Sequence, residues 1–142
     1  MEEWRKELVR KAFEAQKRSY APYSHFHVGA AVLLKDNTIY QGCNIENAAF
    51  TVGLCAERNA IYKAVYDGYR DRKDFVAIAV VGKPDSRSEF DYCAPCGSCR
   101  QVMCEFCDPD AFEIILAKNE DEQKSFNLRE LLPLGFTGSD MV

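Results

Sequence analysis

Residues 55–81 read CAERNAIYKAVYDGYRDRKDFVAIAVV. The first part, CAERNAIYKAVYD, reads as a helix stopped by Gly68, a glycine just past the C-cap. The last part, Phe75–Val81, is a continuous apolar run of strand length, as expected of a strand covered on both faces. Downstream, a polar loop with Pro84 and Asp85 precedes PCGSCRQVMCEF, which starts a second helix at Pro95. FEIILA (Phe112–Ala117) is a second buried strand, and LRELL (Leu128–Leu132) a short helix closed by Pro133. Upstream, Asn44–Gly53 is a loop. FHVGAAVLLK (Phe26–Lys35) and TIYQGC (Thr38–Cys43) read as strands joined across Asp36–Asn37 in a hairpin. Trp4, Leu8, Val9, Ala12 and Phe13 recur at helical spacing and predict a first amphipathic helix, ending near the Tyr20–Tyr23 turn with Pro22. Strands on either side of a crossover helix are expected to be parallel, so the pattern predicts an α/β mixed sheet with helices packed on its faces.

The chain has 142 residues, one ordinary domain (1–142) with room for a core that needs no disulfides. No internal repeat, low-complexity tract or linker divides it. With 18 Lys+Arg against 22 Asp+Glu the formal net charge is −4 and the pI about 5.2, which argues against general nucleic-acid binding. No apolar run approaches the ~18–20 residues of a membrane span. The N-terminal MEEWRKELVRKAFEAQKRS mixes charges and lacks the apolar core of a signal peptide, so a cytoplasmic protein is expected.

Cysteine is the anomaly. There are seven, and Cys93, Cys96, Cys99, Cys104 and Cys107 crowd into one short stretch. An odd count without an export signal points to reduced thiols, hence to metal binding or nucleophilic chemistry. Cys55 and the Cys96–Cys99 pair both fall at predicted helix N-termini, which converge if the two crossovers lie on one side of the sheet. Three thiolates can bind one zinc ion and leave a fourth position for water. Helix N-termini favour the thiolate form. Three thiolates on Zn²⁺ sum to −1, a poor charge for acidifying water. Arg58, in the first turn after Cys55, is the natural offset, since a guanidinium donates to two sulfurs at once. Glu57 places a carboxylate beside that fourth position, as a proton carrier and not a ligand.

Cys-Ala-Glu followed by Pro-Cys-x-x-Cys is the three-cysteine form of the zinc nucleoside and nucleobase deaminase signature. YAPYSHFHVGAAV, GCNIENAAF, GLCAERNAI, APCGSCRQVM and LLPLGF together resemble successive blocks of the small homotetrameric cytidine deaminases, from about Tyr20 to Phe136. The resemblance implies a single-domain, three-layer fold with a five-stranded mixed sheet and helices on both faces. It implies one zinc per chain on Cys55, Cys96 and Cys99, with Glu57 as the proton shuttle and Arg58 neutralising the sulfurs. Asn44 and Glu46 would contact the ribose hydroxyls, Phe26 would pack on the base, and the backbone around Ala56 would read the pyrimidine edge. Phe136 would reach a neighbouring subunit's pocket in a homotetramer with shared active sites. Phe50 stands where Tyr is common, so adjusted affinity is expected rather than lost activity. The reaction implied is hydrolysis of cytidine or deoxycytidine to uridine or deoxyuridine plus ammonia, in pyrimidine salvage. A carboxylate at Glu46 would repel a 5′-phosphate and favour the free nucleoside.

Blander readings stand beside these. Cys93-x-x-Cys96 and Cys104-x-x-Cys107 also have ligand spacing for a closed four-thiolate zinc, but Cys104 and Cys107 lie more than a turn from the helix start. Cys43, Cys93, Cys104 and Cys107 read as small buried filler. His25 and His27 read as turn or pocket-rim residues. A nucleic-acid editing deaminase, a non-enzymatic zinc-structured module and a deaminase of nucleoside antibiotics are the rival functions. The acidic charge speaks against the first of these, and the Asn-Ile-Glu-Asn block against the last.

Overall fold

The amphipathic pattern at the N-terminus forms α1 (Glu3–Gln16), followed by the hairpin β1 (Phe26–Leu34) and β2 (Ile39–Cys43). Then come α2 (Ala56–Tyr66), β3 (Phe75–Pro84), α3 (Gly97–Phe106), β4 (Glu113–Ala117), β5 (Gln123–Asn127) and the short α4 (Leu128–Leu131). The structure, a computed structural model, describes residues 1–142. One sheet runs in the order β2-β1-β3-β4-β5. β1 is antiparallel to both of its neighbours, β3 and β4 are parallel, and β5 returns antiparallel to β4. The five-stranded mixed sheet and the helices on both of its faces are as expected. No helix is long and apolar enough to cross a membrane.

The period of two along the central strands separates two cores. Val32, Leu34, Ile78, Val80, Ile114 and Leu116 face α2 and α3. Ala31, Leu33, Ala77, Ala79, Ile115 and Ala117 face α1, where Leu8, Val9 and Ala12 meet them. Both crossovers, β2-α2-β3 and β3-α3-β4, therefore pass over the same face. That shared face brings the starts of α2 and α3 together.

Close approach of α2 depends on a glycine. A Cβ on Gly42 in β2 would lie 2.3 Å from Ala56 O and 2.5 Å from Ala60 N. The α2 backbone therefore rests directly on the strand, and its first turn is set by that contact. At the other end of the helix Gly68 has φ +106°, the left-handed turn that ends it as its sequence position predicts.

Three elements differ from the sequence reading. α1 stops at Gln16, before Tyr20, because Tyr20 N donates to Asn44 O at 2.9 Å and pulls the chain across the sheet end. β3 continues past Val81 to Pro84, paired with the start of β1 through Phe26. β5 (QKSFN) is an edge strand whose one apolar side chain, Phe126, packs against the core, so it has no apolar alternation of its own.

Candidate metal and substrate site

Cys55 is the N-cap of α2 and Cys96 the N-cap of α3, with Cys99 in the first turn of α3. Their three sulfurs lie within 4.8 Å of one another, with Cys55 Sγ 3.8 Å from Cys96 Sγ and Cys96 Sγ 3.5 Å from Cys99 Sγ. Tetrahedral zinc with Zn–S bonds of about 2.3 Å places sulfurs roughly 3.8 Å apart, so the donor set fits that ion in kind and spacing. Cys104 and Cys107 are buried in the core below α3, away from this cluster, which is the three-sulfur arrangement and not a closed site of four. Cys43 and Cys93 are only half-buried.

The charges around the sulfurs follow from their neighbours. The Cys99 thiol hydrogen-bonds to Cys55, and Arg58 Nη2 donates to Cys55 Sγ at 3.2 Å. Together with Cys96 they bring the Cys55 thiol down to about 5 against the cost of burial. The same bond with Cys55, and burial, push the Cys99 thiol the other way. Burial works against the charge on Arg58, but its bonds to the thiolates more than offset this and hold the guanidinium protonated. Glu57 is 4% exposed. Desolvation pushes its carboxyl up to about 7, and the Cys55 charge adds to that.

A cavity of about 350 Å³ opens beside Cys55 and Arg58, with Tyr23, Asn44, Glu46 and Phe50 among its walls. The Glu46 carboxylate accepts from Tyr23 N at 3.0 Å, from Ser24 N at 3.1 Å and from Ser24 Oγ. The Ser24 hydroxyl, foremost, lowers its pKa. Asn44 serves β1 as well as the cavity: its Oδ1 accepts from Val28 N at 2.9 Å and its Nδ2 donates to Phe26 O at 2.8 Å. Ala56 is fully buried at the start of α2. Phe50 is 83% exposed at the cavity mouth. Phe26 is half-buried near Gly82 and Cys93, outside the cavity wall. Phe136 is also outside it, on an exposed C-terminal segment whose carbonyl accepts from Gln101 Nε2 at 2.6 Å. One chain thus brings together Cys55, Cys96, Cys99, Glu57 and Arg58, with Asn44, Glu46 and Phe50 across the cavity, and leaves Phe136 apart. Sequence reasoning did not single out Tyr23 and Ser24. Their part is played largely by backbone N–H groups, which no side-chain pattern announces.

A family model for the cytidine and deoxycytidylate deaminase zinc-binding region matches residues 2–113. The chain belongs to this deaminase family. Among relatives, it is 43% identical over 137 residues to a cytidine deaminase of Halalkalibacterium halodurans, covering 96% of this chain and 97% of that protein. A cytidine deaminase of Sporosarcina psychrophila is 40% identical over 134 residues, 94% of this chain and 92% of the relative. The crystal structure of a cytidine deaminase from Burkholderia pseudomallei superposes with a TM-score of 0.82 at 40% identity, covering 96% of this chain and all of that one. As a member of this deaminase family the chain is an enzyme, and the three converged cysteines could hold a metal ion within the zinc-binding region that the family description names.

Proposed function

We propose that the protein catalyses zinc-dependent hydrolytic deamination of cytidine and deoxycytidine, with one zinc per chain held by Cys55, Cys96 and Cys99. The observation that carries this reading is the meeting of three sulfurs from two distant segments beside a buried carboxyl and a cavity that holds Glu46 and Asn44. Bound zinc supplies Lewis acidity, bringing the ionisation of water toward neutral pH. Arg58 spreads the negative charge of the thiolates, so the site is less electron-rich than three sulfurs alone. Glu57, buried beside the sulfurs, accepts a proton from water and delivers it to N3 of the pyrimidine. A C4–O bond forms, Glu57 takes the remaining proton from the new C4 hydroxyl and passes it to the amino group, and the C4–N bond breaks to release ammonia and leave the C4 carbonyl. The backbone at Ala56 reads the base edge and Phe26 packs on the ring. Glu46 and Asn44 accept and donate to the sugar hydroxyls.

The same reading makes the active unit a homotetramer in which Phe136 of one chain reaches a neighbour's cavity. Exposed Ile45, Phe50 and Val52 near the cavity, and Tyr62 and Tyr66 along α2, supply apolar surface for such contacts. It acts on small nucleosides, on neither nucleic acid nor membrane, in cytoplasmic pyrimidine salvage, as a single catalytic domain over residues 1–142. A spectrophotometric assay with cytidine, with zinc quantified on the same preparation, tests it. Glu57→Gln keeps its zinc and loses several orders of magnitude in turnover. A zinc-loaded wild type inert toward cytidine, or an active Glu57→Gln, overturns it.

A further inference from the structure

The Glu46 carboxylate is held by the turn that contains Tyr23 and Ser24, and that turn has an unusual backbone. His25 adopts φ +56°, a left-handed conformation that few residues with a side chain take, although histidine enters it more readily than most. What holds it there comes from the far end of β3. Asp85 N donates to His25 O at 2.8 Å. The Asp85 carboxylate lies 3.1 Å from His27 Nε2 and 3.7 Å from His25 Nδ1. On its other side His27 Nδ1 is 2.6 Å from Ser19 Oγ. With the ring proton on Nε2, His27 accepts from Ser19 and donates to Asp85, so the three side chains form one continuous hydrogen-bonded chain.

This cluster lines none of the cavity described above and touches none of the sulfurs. Its link to the cavity runs through the backbone. The left-handed residue directs Tyr23 N, Ser24 N and the Ser24 hydroxyl onto Glu46, while Ser24 Oγ accepts from Phe26 N at 3.0 Å. We propose that Asp85, with His27 and His25, is a staple that positions Glu46 for the sugar, which makes Asp85 a positioning residue for substrate affinity. The inference rests on the nucleoside reading of Glu46 given above. Groups that act by pre-ordering a binding carboxylate change affinity, and leave the chemistry at C4 alone.

The test is steady-state kinetics of zinc-loaded wild type, Asp85→Ala, Asp85→Asn and His27→Ala with cytidine and with 2′,3′-dideoxycytidine, which lacks both ring hydroxyls. Asp85→Ala and His27→Ala raise KM for cytidine about 3- to 10-fold, keep kcat within twofold, and leave KM for the dideoxy substrate at the wild-type value. Asp85→Asn, which keeps an oxygen for His27, stays within twofold of wild type throughout. Equal rises for both substrates, a fall in kcat, or no change in either variant overturns the staple. Amide hydrogen exchange reads it without any turnover: Asp85→Ala speeds exchange at Tyr23 and Ser24 at least tenfold while β3 core amides keep their rates. Unchanged exchange at those two amides overturns it. If Asp85→Ala speeds exchange as described while the wild type ignores cytidine, the substrate reading is overturned and the mechanical role of Asp85 stands.

Discussion

Gly42→Ala is the sharpest probe of how the fold builds the site. The added methyl would sit 2.3 Å from Ala56 O, 2.5 Å from Ala60 N and 3.1 Å from Ala60 Cα. Non-bonded carbon needs about 3.5 Å, so the first turn of α2 has to retreat from β2 by roughly 1 Å. Cys55 is the N-cap of that turn and moves with it, whereas Cys96 and Cys99 ride on α3 and stay. Metal sites tolerate about ±0.2 Å in ligand distance, so the shift is several times what zinc accepts without rearrangement. Overpacking of this kind costs about 1–3 kcal/mol. For a chain of this length that is a drop in Tm of about 3–10 °C. Zinc affinity, read by competition with a chromophoric chelator, falls at least tenfold, about 1.4 kcal/mol. Gly138→Ala is the control, because a Cβ there meets nothing within 4 Å. If Gly42→Ala melts within 2 °C of wild type and holds zinc as tightly, the helix is not seated by that glycine.

Other expectations follow from single contacts. In metal-free protein, iodoacetamide modifies Cys55 with a pH midpoint of about 5, because the rate tracks thiolate, and Arg58→Gln moves the midpoint upward. Cys107, buried and with its thiol pushed well up, stays unmodified until the protein unfolds. Arg5 donates through Nε and Nη2 to the two oxygens of Glu113 at 2.8 and 2.7 Å, joining α1 to the start of β4. The Arg5 hydrogen bond lowers the Glu113 pKa below its ordinary 4.5. Its stabilisation is therefore complete above about pH 4.5 and is lost as the pH falls through the lowered folded value. About a quarter of each side chain is exposed, so Glu113→Gln costs only about 1 kcal/mol in urea melts at pH 7, and the cost shrinks as the pH falls below 4.5. Phe112→Ala empties a fully buried ring site and costs about 3–5 kcal/mol, the largest loss expected here, by the same melts.

What the sequence makes legible is whatever a single element must satisfy by itself. Phe75–Val81 must be covered on both faces because no polar residue interrupts it, and Gly68 must end α2 because only a left-handed residue fits there. The pairing of Cys55 with Cys96 and Cys99 is legible because each falls at a helix start, and helix starts meet when crossovers share a face. What stays hidden depends on partners. β5 is held by β4 and carries no apolar alternation, so nothing in QKSFN announces a strand. The end of α1 at Gln16 is decided by Tyr20 reaching Asn44, a contact between residues far apart in sequence. Asn44 and Glu46 read as plain sugar ligands, yet the structure gives Asn44 a second task in bracing β1 and binds Glu46 to the Tyr23–Ser24 turn. Phe136 lies outside the cavity of its own chain, where no pattern within one chain defines its partner.

The split of the sulfur donors between α2 and α3 has a consequence for biosynthesis. Cys55 leaves the ribosome 44 residues ahead of Cys99, and at roughly 5–20 residues per second that is an interval of about 2–9 s. Throughout it the first thiol lacks its sulfur companions, since all of β3 is made before α3 begins. Any metal that needs all three sulfurs can therefore be captured only after α3 has been made, late in the synthesis of the chain.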